Sequence, residues 1–583
     1  MSTSNASNGN ALAGASAGVE SPLLEEFIHG DADKKHTSHG GGGWRAAYFI
    51  IGVEFAERFT YYGIGSNLIS YLTGPLQQST AAAAASVTLW AGMVCILPLV
   101  GAFVADSFLG RYRTIIISSG IYILGTGLLT LSAIVPSLSP YECQNSTEKA
   151  SPCSASRLQI VLFYLSLYLV AIALGGHKPC IQAFGADQFD EHDIEECKAK
   201  SSYFNWCFFG LYAGTLIAIL IVSYIQENLS WVLGFGLPCI VMVIALIIFL
   251  LGSKTYRYSV KGDEKRQLLR IGTVFAAATK NRQLCAPLDL SMKEPAEAGE
   301  NLPPQGSKQF KFLDKAQDAQ DSSEAGRKVC SVGEREEAKA MLRLVPIWVT
   351  SLVYAIVVTQ PSTFFTKQGT TMERRLGSKF EIPAASLQAI ISLSIVLLVP
   401  VYDRIFVPMA KSLSGKPSGI TMLQRIGTGM LVSTLSMVTA AIVEAKRLEA
   451  ARDHGLVDEP TATVPMSVGW LVPQYVLSGA SDVLAVVGLQ EFFYDQMPSK
   501  LKSVGLSVFL SIFGVGGFLS SFLVSGIDKV TDGEGRDSWF ADNLNRAHLD
   551  YFYWLLAGLG AIQLLVYVYF AKSYVYNRVS TAG

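Results

Sequence analysis

Glu54, Glu57 and Arg58 place two carboxylates and a guanidinium inside an otherwise apolar stretch of the chain. On a helix, residues three and four apart share a face, so all three can meet there, with Tyr61 one turn further on. Inside a bilayer each ionised side chain costs at least about 2.5 kcal/mol if it is unpaired, so these groups must pair or face water. A neighbouring arginine favours an ionised carboxylate and burial favours a neutral one, so the cluster can exchange protons as its hydration changes. The competing reading is a static ion pair that fixes helix packing. Two acids against one base leave a surplus carboxylate that needs a proton, solvent or a cation from another helix. Lys178, which follows Gly175, Gly176 and His177, is the candidate cation. His177 could titrate near neutrality but, as a lone histidine, reads as a packing or interface residue. Further along, Asp482 interrupts a second apolar stretch between Gly479 and Gly488, and Glu491 closes it near Phe492, Phe493 and Tyr494. Asp482 is the deeper acid and the functional candidate, whereas Glu491 reads as structural.

These residues need elements that hold charge inside an apolar phase. Runs near twenty apolar residues recur at 48–72, 86–105, 114–136, 158–176, 203–224, 231–252, 344–366, 386–401, 419–443, 466–489, 505–526 and 551–571, the length a helix needs to cross a bilayer. The fourth run is expected to continue past Gly175 and Gly176 into Lys178 and Pro179. The chain has 583 residues, of which 50% are hydrophobic and 16% charged, which excludes an ordinary soluble domain. The expected organisation is a cytosolic tail over 1–43, a six-helix bundle over 44–252, a cytosolic linker over 253–343, a second six-helix bundle over 344–573 and a tail over 574–583. The first tail lacks the basic-then-apolar run of a signal peptide. Arg111, Arg113, Arg404, Lys411, Lys416, Lys500 and Lys502 fall in short loops on the side of the termini, which marks that side as cytosolic.

A formal net charge of −1 and the lack of a clustered basic patch argue against nucleic-acid binding. No cysteine or histidine spacing indicates a metal site, no cofactor motif is present, and no Ser/His/Asp grouping points to an enzyme. Cys95, Cys180, Cys207 and Cys239 lie in apolar segments as small hydrophobes. Cys143 and Cys153 share a loop on the non-cytosolic side with the glycosylation triplet beginning at Asn145, so a disulfide and a glycan are expected there.

The stretch from Glu54 to Gly63, EFAERFTYYG, resembles the first-helix ExxER motif of the nitrate/peptide transporter family, the proton-dependent oligopeptide transporters of the major facilitator superfamily. The segment Gly101 to Thr114, GAFVADSFLGRYRT, resembles the superfamily's loop between the second and third helices. Gly175 to Pro179, followed by Phe184 to Asp190 and Phe204, Asn205 and Trp206, is similar to the family's fourth-helix pattern. The resemblance covers nearly the whole chain after about residue 44 and looks like a plant-type member. It implies an all-α membrane protein with the major facilitator fold, twelve transmembrane helices in two six-helix bundles, and a long cytosolic linker. It further implies that Glu54, Glu57 and Arg58 couple protons, that Tyr61, Tyr62 and Lys178 line a central cavity, and that Asp106, Gly110 and Arg111 belong to a cytosolic gate.

Departures from that pattern bear on the solute. Leu211 and Tyr212 stand where the peptide-type signature has Ile-Asn, so a phenol replaces an amide-reading asparagine. Asp482 replaces a glutamate. In the seventh span Gln360, Ser362 and Thr363 offer neutral donors and acceptors, while Val358 stands where one nitrate-transporting type carries histidine, which excludes nitrate binding through that histidine. The resulting expectation is a proton-coupled transporter of a small anionic solute, nitrate or a related anion or an organic acid-type metabolite. Its partners are the solute and protons, with the monomer as default. The alternatives are di- or tripeptide transport and a solute-sensing receptor without flux. Glu20, Leu23 and Leu24 resemble an acidic di-leucine signal and favour the vacuolar over the plasma membrane.

Overall fold

The computed structural model describes residues 42–138, 156–190, 193–258, 332–377, 380–406, 408, 409, 412, 420–497, 502–533 and 537–574. The di-leucine residues, Cys143, Asn145, Cys153 and most of the 253–343 segment lie outside them.

The first half contains α1 (Gly43–Gly65), α2 (Thr80–Val104), α3 (Arg111–Leu138), α4 (Arg157–Ala186), α5 (Ile194–Ile217) and α6 (Trp231–Leu251). A π-turn, Ala218–Val222, and a short helix, Ser223–Asn228, prolong α5. The second half contains α7, a bent pair formed by Lys339–Thr350 and Leu352–Thr370, then α8 (Ala384–Phe406), α9 (Met422–Asp453), α10 (Val468–Asp495), α11 (Lys502–Thr531) and α12 (Leu549–Ser573). Ten of these are straightforwardly long and apolar enough to cross a bilayer, and the pair bent by 48° makes an eleventh. With 23 residues α1 is long enough to be the twelfth, and its buried Glu54 and Glu57 set it apart from the apolar spans. The outer surface carries large apolar side chains such as Phe522, Leu565 and Tyr569, each more than 70% exposed, as a lipid-facing wall requires.

Several spans differ in extent from their apolar runs. The first ends at Gly65, and a separate short helix, Leu68–Thr73, follows. The fourth continues through Lys178 and Pro179 to Ala186, thirty residues in all. The ninth reaches Asp453, ten residues past its apolar run, because its last turns bury Glu444 and Arg447 as a pair with N···O 2.7 Å rather than exposing them. Two small sheets escaped the all-helical reading. Met372–Glu373 pairs in parallel with Val464–Ser467, and Arg375–Leu376 pairs antiparallel with Phe380–Glu381.

Glycines set how closely the helices approach. A Cβ on Gly92 of α2 would lie 2.7 Å from the Gly514 carbonyl of α11, and one on Gly517 would lie 2.7 Å from the Thr88 carbonyl, so the halves cross here backbone to backbone. Within the first half, a Cβ on Gly101 would stand 2.0 Å from the Gly175 carbonyl and one on Gly176 would stand 2.2 Å from Ser118 Oγ. Proline 179 has no N–H to give Gly175 four residues earlier, so this carbonyl is freed where α2 presses closest.

The halves are tied together on the side opposite the termini. Asp542 Oδ1 accepts from Thr80 N and Oγ1 at 2.8 and 3.3 Å. Lys367 Nζ donates to Thr73 Oγ1 at 2.9 Å, and Gln388 Nε2 donates to the Ser66 carbonyl at 2.8 Å. Arg374 bridges Glu227 of the first half and Glu381 of the second at 2.8 and 2.7 Å.

Candidate functional site

Between the halves lies a cavity of about 330 Å³. Tyr61, Tyr62, Trp90, Cys95 and Tyr212 line it from the first half, and Tyr354, Ser362, Gln388, Ser478 and Asp482 from the second. Tyr61 stacks on Trp90 with ring centroids 5.5 Å apart and meets Tyr62 edge-on at 5.0 Å. Trp90 is held in turn by its Nε1 donating to the Leu167 carbonyl at 3.0 Å. The first-half wall is therefore an aromatic shelf fixed by α1, α2 and α4.

The charged triplet of α1 lies behind this shelf. Arg58 Nε is 3.2 Å from Glu57 Oε2 and 3.8 Å from Glu54 Oε1, and both carboxylates are buried. The helical spacing of the three residues is sufficient to bring them together. Glu54 Oε1 also accepts a hydrogen bond from Gln182 Nε2 at 3.0 Å. Gln182 was missed in the sequence, although it lies four residues after Lys178 and thus on the same face of α4.

Lys178 is placed differently from its expected partnership with the surplus acid. Its Nζ stands 4.4 Å from the centroid of the Tyr61 ring, and among the described residues no carboxylate lies within ion-pair distance of it. A tyrosine face can hold a desolvated ammonium by its quadrupole, which leaves the glutamates to Arg58 and Gln182. Neither Arg58 nor Lys178 is part of the cavity lining, and Lys178 stands behind the Tyr61 ring that is.

On the second-half side, Asp482 begins a π-turn, Asp482–Val486, and accepts a hydrogen bond from Tyr354 Oη at 3.0 Å. Such turns widen a helix locally and expose a backbone position that a regular helix would cover. Tyr354 was not singled out in the sequence, where one phenol in an apolar span carries no spacing signal. Ser362 reaches the cavity, whereas Gln360 is buried away from it and donates to the Ile356 carbonyl at 2.9 Å. Glu491 pairs with Arg425 at 3.1 Å, as a structural residue would.

At the termini side, Arg111 binds Asp187 at 2.5 Å and so joins α3 to the end of α4. Gly110 turns the chain between α2 and α3 with φ +77°, a conformation glycine adopts without penalty. Asp106 lies in the preceding π-turn, Ala105–Leu109, and its side chain is outside the described residues.

Two bundles that meet at a cavity near mid-span, with ionisable side chains buried beside it, define a membrane transporter of the major facilitator type. The model of the POT family (PTR2) matches residues 112–540. The Arabidopsis thaliana Protein NRT1/ PTR FAMILY 5.10 is 57% identical over 571 residues, covering 98% of this chain and 100% of its own length. The crystal structure of an auto inhibited POT family peptide transporter has a TM-score of 0.66 at 22% identity, covering 92% of this chain and 98% of its own. The crystal structure of a POT family transporter in complex with 5-aminolevulinic acid has a TM-score of 0.61 at 17% identity, covering 91% and 97%. The chain belongs to the POT family. It is an integral membrane protein, and its family is one of transporters, in keeping with the non-enzyme reading.

Proposed function

We propose that this protein is a proton-coupled secondary transporter that moves a small anionic solute by alternating access. The observation that carries the reading is the Glu54, Glu57 and Arg58 cluster, buried directly behind the aromatic wall of the cavity. Protonation of Glu57 removes the negative charge that holds Arg58. The guanidinium then turns to an anion in the cavity, where Lys178 adds a second positive charge behind Tyr61. Solute and proton together shift the balance between two bundle arrangements because each binds one arrangement better. The bundles over 44–252 and 344–573 rock as units, with the Arg374, Lys367, Gln388 and Asp542 contacts closing the outer side and Arg111 and Asp106 serving the cytosolic side.

Tyr61, Tyr62, Tyr212, Ser362 and Asp482 are assigned to the solute wall in this reading, while the buried Gln360 donates to the Ile356 carbonyl within α7 and serves packing. The cavity accommodates nitrate or a small organic acid, and its two cations match a carboxylate or an inorganic anion. A second reading, di- or tripeptide transport, is favoured by one observation: Asp482 faces the cavity opposite the cations and offers a partner to a substrate amine. The vacuolar membrane is the proposed location, supported by the Glu20, Leu23 and Leu24 pattern.

The test is uptake of nitrate, a dipeptide and a set of anionic plant metabolites into oocytes at acidic and neutral external pH, with surface location verified and Glu57→Gln in parallel. Acid-stimulated uptake of one solute, lost in the variant, is the expected result. Solute binding without flux in reconstituted vesicles would instead establish a receptor.

A further inference from the structure

The helix α10 changes register at the cavity acid. The N–H of Val487 bonds to the Asp482 carbonyl five residues back, and so leaves the Val483 carbonyl, four back, without the partner that a regular helix would supply. Arg425 of α9 fills that place, its Nη2 donating to the Val483 carbonyl at 3.0 Å. The same guanidinium donates from Nη1 to Glu491 Oε2 at 3.1 Å. It also rests on the ring of Tyr402, 4.4 Å from the centroid, where α8 makes a π-turn of its own, Tyr402–Phe406. On the cavity side of the wide turn, Asp482 accepts from Tyr354 at 3.0 Å.

The backbone of α9 is shaped for this contact. It presses against the turn at Gly429, where a Cβ would lie 2.5 Å from Ala485 N, and the Gly429 carbonyl accepts from Ser481 Oγ at 2.9 Å. Arg425 lies four residues before Gly429, on the same face of α9, and reaches the freed carbonyl from there. An unpaired carbonyl at bilayer depth is costly, so the wide turn persists while Arg425 supplies the hydrogen bond. Without that donor, the chain satisfies Val483 by tightening the turn until the Val487 N–H reaches back four residues instead of five.

We propose that Arg425 is a positioning residue for Asp482: by holding the wide turn, it fixes the direction in which the cavity acid points relative to the termini-side end of α10. The inference rests on the assignment of Asp482 to the solute wall and adds the residue that aims it. Tightening the turn takes up its extra residue, which rotates one end of α10 against the other by about 100° and lengthens the helix by about 1.5 Å. The contact of Asp482 with Tyr354 and that of Glu491 with Arg425 therefore coexist only while the turn is wide.

The rotation is read within one helix. Val476 and Gln490 are exposed positions of α10 on either side of the turn. Nitroxides on Val476→Cys and Gln490→Cys, in the full chain in lipid nanodiscs with the other reactive cysteines replaced by serine, give their separation by pulsed electron–electron double resonance. The wide turn sets the two labels about 140° apart around the helix and a regular turn sets them about 40° apart, so Arg425→Gln is expected to shorten the distance by about 3 Å. Glu491→Gln, which loosens the hold on Arg425 but keeps its bond to Val483, is expected to give a mixture of the two distances. A residue that only stabilised the bundle would lower the unfolding midpoint without moving this distance. The wild-type distance kept in Arg425→Gln or, should that variant not fold, in Glu491→Gln would overturn the proposal. No solute or proton gradient enters the measurement, so an unmoved distance leaves the transport reading standing. Absent flux in the uptake test would strike that reading without touching this distance.

Discussion

Lys178 rests its ammonium over the face of Tyr61, 4.4 Å from the ring centroid, in place of pairing with either buried glutamate of the same helix face. The ammonium thus has an aromatic face as its partner, and that ring is itself part of the cavity wall.

Replacing Tyr61 with leucine removes this contact. A desolvated cation–π contact contributes about 2 kcal/mol, so Tyr61→Leu is expected to lower solute uptake about tenfold or more, while Tyr61→Phe stays within about twofold of wild type. Initial uptake rates of the solute identified by the screen measure this. Equal loss in both variants would show that the hydroxyl, not the ring face, matters.

Glu57→Gln keeps the shape of the side chain and removes its ionisation. Uphill, acid-driven uptake is expected to disappear, whereas exchange of labelled for unlabelled solute across proteoliposomes continues at a measurable rate. Exchange requires the bundles to rock but no net proton movement. Persistence of uphill uptake in this variant would remove Glu57 from the coupling path.

Arg374 joins the halves on the side opposite the termini, the outer side in the proposed orientation, through Glu227 and Glu381. Arg374→Ala is expected to shift the population toward the arrangement open on that side. Cys95 lines the cavity, so its labelling by a membrane-impermeant maleimide added from outside should rise about fivefold or more in sealed vesicles, with Cys95→Ser as control. Unchanged labelling would mean that the contacts of Thr80, Lys367 and Gln388 suffice for closure.

Arg447 is fully buried and fully bonded, to both oxygens of Glu444 at 2.7 and 2.9 Å, to Asn545 Oδ1 at 2.8 Å and to the Leu544 carbonyl at 2.7 Å. Arg447→Met leaves the Glu444 carboxylate buried alone, which costs about 3–5 kcal/mol. A marked fall in the thermal unfolding midpoint of the purified protein is expected. The companion variant Arg447→Met with Glu444→Gln should recover part of the loss.

Much of this was legible in the chain before any coordinate. Blocks of apolar residues at membrane length dictate helices, because inside hydrocarbon each backbone N–H and C=O must be satisfied within its own segment. Charges at the spacing of Glu54, Glu57 and Arg58 meet wherever that helix forms, since three- and four-residue separations bring side chains together on any α-helix. The fourth span's passage through Pro179 was likewise foreseeable.

What the tertiary structure alone decided is which group on one helix meets which group on another. The sequence offered Lys178 to the surplus acid. The structure gave Gln182 to Glu54, the Tyr61 ring to Lys178, Asp187 to Arg111 and Tyr354 to Asp482. It also turned Gln360 away from the cavity and His177 into the bundle. Such choices depend on how each helix is rotated about its axis and how closely it approaches its neighbour, which here is set by glycines pressed against facing backbones at Gly92, Gly101, Gly175 and Gly517. Spacing along the chain specifies contacts within a helix. Contacts between helices arise only when the packing of all of them has chosen one rotation for each.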